Sequence, residues 1–317
     1  MRSYLSFETP VAEIDARVDE LRALAEKSDS PVLDEEVAKL EAKSAKTLAD
    51  LYAALTPWQK IQVARVQNRP HFYDYVKGLI TDFTALSGDR KFAEDSAIVG
   101  GLGRFRGDPI CIIGHEKGED TGSRLKHNFG MPRPEGYRKA VRLMELADKF
   151  DLPVVSLVDT AGAWPGIDAE ERGQAEAIAR ATDASLMLGV PNVAVIVGEG
   201  GSGGALAIAA CNKVLMLEHA VYTVASPEAA ASILWRDSSR AQETATSMKI
   251  TAQDLLRFGI IDAVVPEPIG GAHRDPEAAV AATGAAIGAA LDSLGNMSRE
   301  QLREARATKF LAMGRKI

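Results

Sequence analysis

The sequence predicts an α/β fold in which a mostly parallel sheet is wrapped by helices. Two apolar stretches that read as buried strands, Leu152–Val158 and Val193–Val197, carry the prediction. Each ends in a turn rich in glycine, and a helix-compatible stretch follows each turn. The strands lie about 40 residues apart with a helix between them, which is typical of a right-handed βαβ crossover. Both turns are therefore expected at the same edge of the sheet.

The remaining elements follow in chain order. Residues 1 to about 85 are predicted to form a helical extension, with apolar residues at helical spacing between Val11 and Ala25 and a second helix starting near Leu33. Residues 86–317 are predicted to form the main domain. Its predicted elements are a hairpin of strands 97–105 and 109–113, helix 134–150, a long helix 169–188, strands 214–217, 221–224 and 260–265, and closing helices 276–294 and 298–313.

The most informative segment is the turn after the second strand, where five of the seven residues from Gly198 to Gly204 are glycine and a helix is predicted from Ala205 to Ala210. Three interpretations compete. A phosphate loop fits poorly, because the positions that require lysine and serine or threonine hold Gly204 and Ala205. A nucleophile elbow would use Ser202, which lies within the pattern G-x-S-x-G. An oxyanion turn would use the glycine amides at the helix start, with Ser202 only a small neighbour.

The turn after the first strand favours the oxyanion interpretation. Ligands of open α/β sheets usually lie at the carboxyl ends of the strands. Gly162-Ala163 and Gly203-Gly204 follow adjacent predicted strands. The two turns are therefore expected to bracket a single carbonyl oxygen.

Nine short motifs, in order along nearly the whole chain, make the sequence resemble the alpha subunits of bacterial-type acetyl-CoA carboxylase carboxyltransferases, a branch of the crotonase superfamily. Each motif is weak alone, and the ordered set is specific. The motifs are Ala97-Ile-Val-Gly-Gly101, Asn128-Phe-Gly-Met-Pro132, Pro134-Glu-Gly-Tyr-Arg-Lys-Ala140, Glu170-Glu-Arg-Gly-Gln174, Gly198-Glu-Gly-Gly-Ser-Gly-Gly-Ala-Leu-Ala207, Ser226-Pro-Glu228, Ala231-Ser-Ile-Leu-Trp235, Pro266-Glu-Pro268 and Gly270-Gly-Ala-His-Arg274.

The resemblance implies a crotonase (ClpP-like) spiral of ββα units and a carboxyl transfer. In that reaction carboxybiotin, borne on a separate biotin carboxyl carrier protein, gives its carboxyl group to acetyl-CoA and forms malonyl-CoA, the first committed step of fatty acid synthesis. It also implies a beta subunit in an α2β2 heterotetramer, with biotin carboxylase completing an ATP-using complex. The N-terminal helices would pack either on the domain's own core or on that beta subunit.

Specific roles carry over to residues of this chain. By resemblance, Gly203 and Gly204 supply the oxyanion amides for carboxybiotin. The geometric argument adds Gly162 and Ala163 as supporting donors. Gly200, Gly201 and Trp164 are predicted to line the biotin pocket. One departure is Ala161, which stands where relatives commonly have proline, so the φ of that turn is not preset.

Two alternatives compete with carboxyl transfer. A crotonase-fold or α/β serine hydrolase would use Ser202, but a Clp-type peptidase needs a histidine after the next strand, where Tyr222–Pro227 has none. His219 is predicted to lie on the surface, and recruiting His273 would require a different sheet. A hydratase would need a glutamate where Leu206 and Ala207 stand. The non-enzymatic alternative is a scaffold, which has no need for the five glycines.

Composition narrows the class of protein. The net charge of −7 disfavours nonspecific nucleic-acid binding, and no run approaches the length of a membrane span. The two cysteines, Cys111 and Cys211, give neither a disulfide framework nor a zinc pattern, so no metal is expected. The first residues lack the features of a signal peptide, which predicts a cytoplasmic protein. A basic segment, Arg104–Arg142, is predicted either to guide anionic ligands or to form a solvated face of mixed charge.

Overall fold

A computed structural model describes residues 4–28 and 31–315. Within these residues, one mixed sheet of eight strands is surrounded by helices. The strands are β1 (Ile80–Ala85), β2 (Ile98–Phe105), β3 (Asp108–His115), β4 (Val154–Thr160), β5 (Asn192–Gly201), β6 (Lys213–Leu217), β7 (Val221–Thr223) and β8 (Ala263–Val265). The helices are α1 (Thr9–Ser28), α2 (Pro31–Ala53), α3 (Pro57–Ala64), α4 (Phe72–Leu79), α5 (Thr121–Lys126), α6 (Pro134–Lys149), α7 (Ile167–Glu171), α8 (Gln174–Met187), α9 (Ser202–Ala209), α10 (Pro227–Trp235), α11 (Ala241–Met248), α12 (Ala252–Arg257), α13 (Pro276–Asp292) and α14 (Arg299–Ala312).

The strand order is β1-β2-β3-β4-β5-β6-β8, and β7 pairs with the end of β5. The pairs β1–β2 and β2–β3 are antiparallel, and the pairs from β3–β4 onward are parallel. In the central pair, Val154 of β4 lies opposite Asn192 of β5, and Thr160 lies opposite Gly200. The carboxyl ends of β4 and β5 therefore meet at one edge, as the βαβ interpretation predicts.

The sheet lies in a large apolar core, because β4 and β5 are buried along nearly their whole length and are rich in valine and isoleucine. Helices α6 and α8 pack against each other on one side of it. The hairpin α1–α2 has its own small cluster of Val18, Leu21 and Val37.

Buried polar contacts fasten the N-terminal helices to the domain. The carboxylate of Glu8 accepts a hydrogen bond from Arg274 at 2.8 Å and another from the Tyr52 hydroxyl at 3.0 Å. Farther along the chain, Arg69 and Glu267 form an ion pair with almost no exposure, at 2.8 Å. Arg69 also donates to the carbonyl of Val197 in β5. Among the described residues, the extension thus packs on this chain's own domain. A further contact with another subunit stays a prediction.

Four details differ from the sequence prediction. Residues 80–85, predicted as helix, form β1, because the segment is rich in residues that favour strands, namely Ile80, Thr81, Phe83 and Thr84, and it pairs with β2. The long helix is broken after α7, where Gly173 adopts φ 81°. Helix α9 begins three residues early, and β8 three residues late. His219, predicted on the surface, is buried at 3% exposure against the Tyr52 ring, because α2 covers it.

Candidate active site

The turns after β4 and β5 touch each other. A Cβ placed on Gly204 would lie 2.7 Å from the amide nitrogen of Ala163 and 2.8 Å from the carbonyl carbon of Gly162. A Cβ on Gly201 would overlap the Ala161 carbonyl and lie 2.7 Å from the Gly162 nitrogen. Both positions are therefore restricted to glycine by the close approach of backbone. The structure brings together the two turns that the sequence analysis paired.

The turn after β4 offers one free amide. Gly162 adopts φ 142°, a conformation that favours glycine, and its N–H donates to the Thr160 hydroxyl at 3.0 Å. The Trp164 amide donates to the Pro132 carbonyl at 3.0 Å. Among the described residues, the Ala163 amide between them has no acceptor. Of the two predicted supporting donors, Ala163 is thus the available one, and Gly162 shapes the turn.

The turn after β5 leads directly into α9. Gly201 is the residue before the helix, so the amides of Ser202, Gly203 and Gly204 belong to the first turn, whose N–H groups lack intrahelical acceptors. The positive end of the helix dipole lies at the same place. Gly204 is buried against backbone, whereas Gly203 is half-buried, and a Cβ added there would meet only the side chain of Ile178, at 3.3 Å, which must shift slightly. These amides and that of Ala163 can stabilise an oxygen that acquires negative charge.

The other three predicted pocket residues lie around these turns. Gly200 and Gly201 are buried in β5 between β4 and β7, so the structure gives them a packing role. A ligand contact for either glycine stays a prediction. Trp164 is half-buried on the far side of the first turn. Its ring nitrogen donates to Asp168 at 3.1 Å, and Arg133 lies over its ring.

Two side chains support the turns from behind. Gln174, at the start of α8, donates to the carbonyls of Pro132 and Trp164, both at 2.9 Å, and so fixes the turn after β4. The Tyr137 hydroxyl of α6 would lie 3.0 Å from a Cβ on Gly204 and has no hydrogen-bond partner among the described residues. Burial, aided by the charge of Asp95, raises the pKa of Tyr137 well above its usual value. The phenol is therefore neutral.

A charged cluster that the sequence analysis missed lies beside the turns. Lys117 contacts Asp159 at 2.6 Å and Glu199 at 3.1 Å, and Arg65 contacts Glu199 at 2.7 Å. Burial alone would raise the pKa of Glu199, but Lys117 and Arg65 outweigh it and lower that pKa. Burial likewise opposes the charge on Lys117, and the two carboxylates still raise its pKa. The signal was available, because Asp159 and Glu199 stand at the carboxyl ends of β4 and β5.

His115 is a buried histidine at the end of β3, two residues before Lys117 of the charged cluster. It is 2% exposed, and neither ring nitrogen has a hydrogen-bond partner among the described residues. Burial is the main cause that lowers its pKa to about 4, and Lys117 acts in the same direction against Asp159. The ring is therefore neutral at physiological pH and sealed from solvent.

Two cavities flank the turns. An apolar cavity of about 440 Å³ has Ser202, Gly203 and Leu206 on one wall and Tyr222 and Val224 on another. A more polar cavity of about 320 Å³ lies beside the charged cluster and is lined by Arg65, Lys117 and Phe129 among others. A ligand in the larger cavity would lie against the first residues of α9.

Ser202 has part of the geometry of a nucleophile. It is exposed and adopts φ 51° at a sharp strand-to-helix turn. However, no hydrogen bond in the described part of the chain joins it to a histidine or carboxylate, and the wall of its cavity holds neither. His273, the other histidine considered, lies near Gly271 and Arg69. An activated serine is not assembled.

Comparison with known proteins decides the family. A family model described as acetyl co-enzyme A carboxylase carboxyltransferase-like matches residues 4–314. The chain belongs to this family. Two relatives are each named acetyl-coenzyme A carboxylase carboxyl transferase subunit alpha. The protein from Nitrobacter winogradskyi is 69% identical over 100% of this chain and 98% of its own length. The protein from Beijerinckia indica is 68% identical over the full length of both chains. The family predicted from the ordered motifs is confirmed, and with it the carboxyltransferase class.

Solved structures confirm the fold. A transcarboxylase 12S structure with methylmalonyl-coenzyme A and methylmalonic acid bound gives a TM-score of 0.58 at 20% identity, covering 71% of this chain and 41% of that chain. This chain thus spans less than half of that protein. A Pseudomonas malonate decarboxylase hetero-tetramer in complex with coenzyme A gives 0.56 at 18% identity, covering 70% and 89%. These likenesses support the crotonase-type spiral.

No described helix has the length and apolar character needed to span a bilayer. No group of three or more histidine, cysteine or acidic side chains within residues 4–28 and 31–315 is arranged to hold a metal ion.

Proposed function

We propose that this chain is the alpha half of a cytoplasmic carboxyltransferase that moves a carboxyl group from carboxybiotin to acetyl-CoA. The contact between the two turns carries the proposal, because it places the free Ala163 amide beside the first residues of α9. Membership of the carboxyltransferase family supports the reaction class.

The chemistry fits a site built from amides. When the bond between the ureido nitrogen and the carboxyl carbon breaks, its electron pair moves toward the ureido oxygen. The N–H groups of Ala163, Gly203 and Gly204 would donate to that oxygen and lower the barrier. The bond cleavage releases CO2, and the biotin anion would then remove the methyl proton of acetyl-CoA, so this chain need not supply a base. The resulting enolate would attack the CO2 and form malonyl-CoA. The apolar cavity beside Gly203 has room for the bicyclic ring.

The site is expected to be completed by a beta subunit that stabilises the thioester enolate in the same way. The naming of the relatives as alpha subunits supports such a partner. An α2β2 assembly, a biotin carboxyl carrier protein and a biotin carboxylase belong to the same proposal.

The experiment measures carboxyl transfer from malonyl-CoA to biocytin by this chain with a matching beta subunit. Gly203→Pro removes one amide hydrogen at a helix position that accepts proline. Gly203→Ala, the matched control, keeps the N–H and adds the same Cβ as the proline, 3.3 Å from the Ile178 side chain, so the small shift of Ile178 is common to both variants. Loss of one donor typically costs on the order of 3 kcal/mol, about a hundredfold in rate. Equal turnover of the two folded, assembled variants would contradict the oxyanion role.

Activity of the chain without the beta subunit would contradict the shared site. Hydrolysis of acyl esters that disappears in Ser202→Ala would revive the hydrolase alternative.

A further inference from the structure

A group of basic side chains surrounds a cavity on the outer face of the domain, away from the glycine turns. The cavity, about 350 Å³, lies between the loop 87–95 and helices α6 and α8. We call it the cationic pocket. Its basic residues are Arg90, Lys91, Arg138, Arg142 and Arg180, and its acidic residues are Asp89, Glu145 and Glu176.

The loop that carries two of the cations is held in one conformation. Asp89 Oδ1 accepts hydrogen bonds from the amides of Lys91, Phe92 and Ala93 at 2.8–3.0 Å. The Asp89 amide donates back to the Ala93 carbonyl at 3.1 Å. Arg90 adopts φ 60°, a conformation uncommon for arginine that persists when surrounding contacts impose it. The loop therefore presents Arg90 and Lys91 in a preorganised way.

Arg142 of α6 lies on the opposite wall and has only carbonyl partners. Its guanidinium donates to the carbonyls of Leu86, Ser87 and Gly88 at 3.0–3.1 Å. Burial, and then the positive charge of Arg90, lowers the pKa of Arg142, against a smaller opposing effect of Glu94 and Asp89. Arg90 and Arg142 therefore line the same pocket and carry the same charge.

The acids nearby do not neutralise these cations. Asp89 is committed to the loop amides, and Glu176 pairs with Arg180 at 2.9 Å. Arg138 lies 3.9 Å from Asp89 and 3.7 Å from Glu135. In the described part of the chain, Arg90, Lys91 and Arg142 form no ion pair. Asp89 Oδ2 and Glu145, which have no hydrogen bond there, are the remaining acidic groups on the wall, and the five basic residues outnumber the three acidic ones.

We propose that the cationic pocket binds a phosphate-bearing anion, with Arg90, Lys91 and Arg142 as its ligands. Guanidinium groups bind phosphate oxygens through paired, charge-assisted hydrogen bonds, and the like-charged arginines gain most from an anion between them. The cavity has room for two linked phosphate groups. Such an anion comes either from free inorganic pyrophosphate or from the phosphates of a nucleotide-type ligand such as coenzyme A.

Binding is measured with the full-length chain by isothermal titration calorimetry, independently of any catalytic activity. The probes are inorganic pyrophosphate, coenzyme A, 3′-dephospho-coenzyme A and pantetheine. We expect pyrophosphate and coenzyme A to bind and pantetheine, which has no phosphate, to bind at least tenfold more weakly than coenzyme A. Coenzyme A binding tenfold tighter than pyrophosphate would assign the pocket to a nucleotide ligand. Equal affinities would assign it to free phosphates.

The double variant Arg90→Asn/Lys91→Gln removes two positive charges. Asparagine is chosen for position 90 because it tolerates the positive φ found there. The double variant should weaken pyrophosphate binding at least tenfold, because hydrogen bonds between charged groups are lost. Arg142 stays unchanged, since it anchors the loop. The matched control Arg17→Gln/Lys39→Gln removes the same charge from two exposed ion pairs of the extension and should change nothing.

Two results with the variants would overturn the proposal. One is wild-type affinity for pyrophosphate in the loop variant, and the other is equal loss in the control. The absence of binding by the wild-type chain would also overturn it. The experiment measures binding and not turnover. Its outcome therefore does not depend on whether the carboxyltransferase proposal is correct.

Discussion

Two regions of this molecule are held together by different kinds of contact. At the edge formed by β4 and β5, two turns approach so closely that glycine is required at positions 201 and 204. At the seam between the N-terminal helices and the domain, charged side chains are buried in pairs, as in Arg69 with Glu267 and Arg274 with Glu8. The edge is built from backbone, and the seam from long side chains.

The difference determines what each region tolerates. The edge has no space for an added atom, because the neighbours are backbone atoms that cannot rotate away. The seam has no tolerance for a lost charge, because the remaining partner would stay buried without compensation. Small changes should therefore harm activity at the edge and stability at the seam.

The largest expected effect is that of Gly204→Ala. Its new methyl group would meet the backbone of Gly162 and Ala163 within 2.8 Å, which displaces both turns. We expect carboxyl transfer with the beta subunit to fall by about a hundredfold or more, as displacement of a positioned group by about 1 Å does. Gly203→Ala, one residue away, places its methyl group 3.3 Å from the Ile178 side chain, which can shift by a few tenths of an ångström, and should stay within a few-fold of wild type. Similar losses of turnover in both variants would show that the close backbone contact at Gly204 does not determine activity.

The next effect is that of Glu267→Gln at the seam. Arg69 would remain buried, and the carboxylate that also accepts the amides of His219 and Ala272 would be gone. Breaking a buried ion pair by removing one partner costs about 3–5 kcal/mol. Urea unfolding of the full chain measures this cost. Arg69→Met/Glu267→Leu, which removes both charges, should lose less, and a larger loss in the double variant would contradict the argument.

A third effect concerns pH and the buried imidazole behind the edge. The pKa of His115 is about 4 in the folded chain and about 6.5 in the unfolded chain, so the unfolded state binds more protons between these values. The stability that the neutral ring contributes is complete above pH 6.5 and is lost as pH falls toward 4. Its size is about 3 kcal/mol.

Unfolding free energies at pH 7.5 and 4.5 test this third effect. His115→Gln should remove about 3 kcal/mol of the difference between the two pH values. His219 and His273, whose pKa values are also lowered, mainly by burial, remain in the variant and account for a residual slope of the same sign. An unchanged slope would place the acid sensitivity in those two histidines.

Much of the fold was predictable because it depends on local pattern. The hairpin of β2 and β3, helix α6 and the parallel pair β4–β5 follow from runs of buried residues and from turn residues, and the structure has them at nearly the predicted positions. The contact between Gly162-Ala163 and Gly204 was predictable for the same reason, since adjacent parallel strands end at one edge.

Other features depend on partners distant in sequence. Strand β1 exists because β2 offers an edge, and His219 is buried because Tyr52, 167 positions earlier in the chain, covers it. The Gly162 amide donates a hydrogen bond to the Thr160 hydroxyl. A pattern of glycines in the sequence does not predict this contact. The charged cluster around Lys117 likewise joins a loop after β3 to the ends of two other strands. For β1, His219 and the Gly162 amide, spacing along the chain carries no signal. For the charged cluster, the strand ends indicate Asp159 and Glu199, but nothing in the spacing indicates Lys117.

The smallest expected effect is that of Ala161→Pro, which restores the proline that relatives commonly have in the turn after β4. Ala161 is exposed and follows the extended residue Thr160, the conformation that a residue before proline prefers. Because proline restricts the unfolded chain, the free energy of unfolding should rise by about 0.4–1 kcal/mol, with carboxyl transfer unchanged. Thermal unfolding and the biocytin assay measure the two quantities. A loss of stability would mean that the Ala161 amide is needed as a donor, and a gain in turnover would mean that the looseness of this turn limits the placement of Ala163.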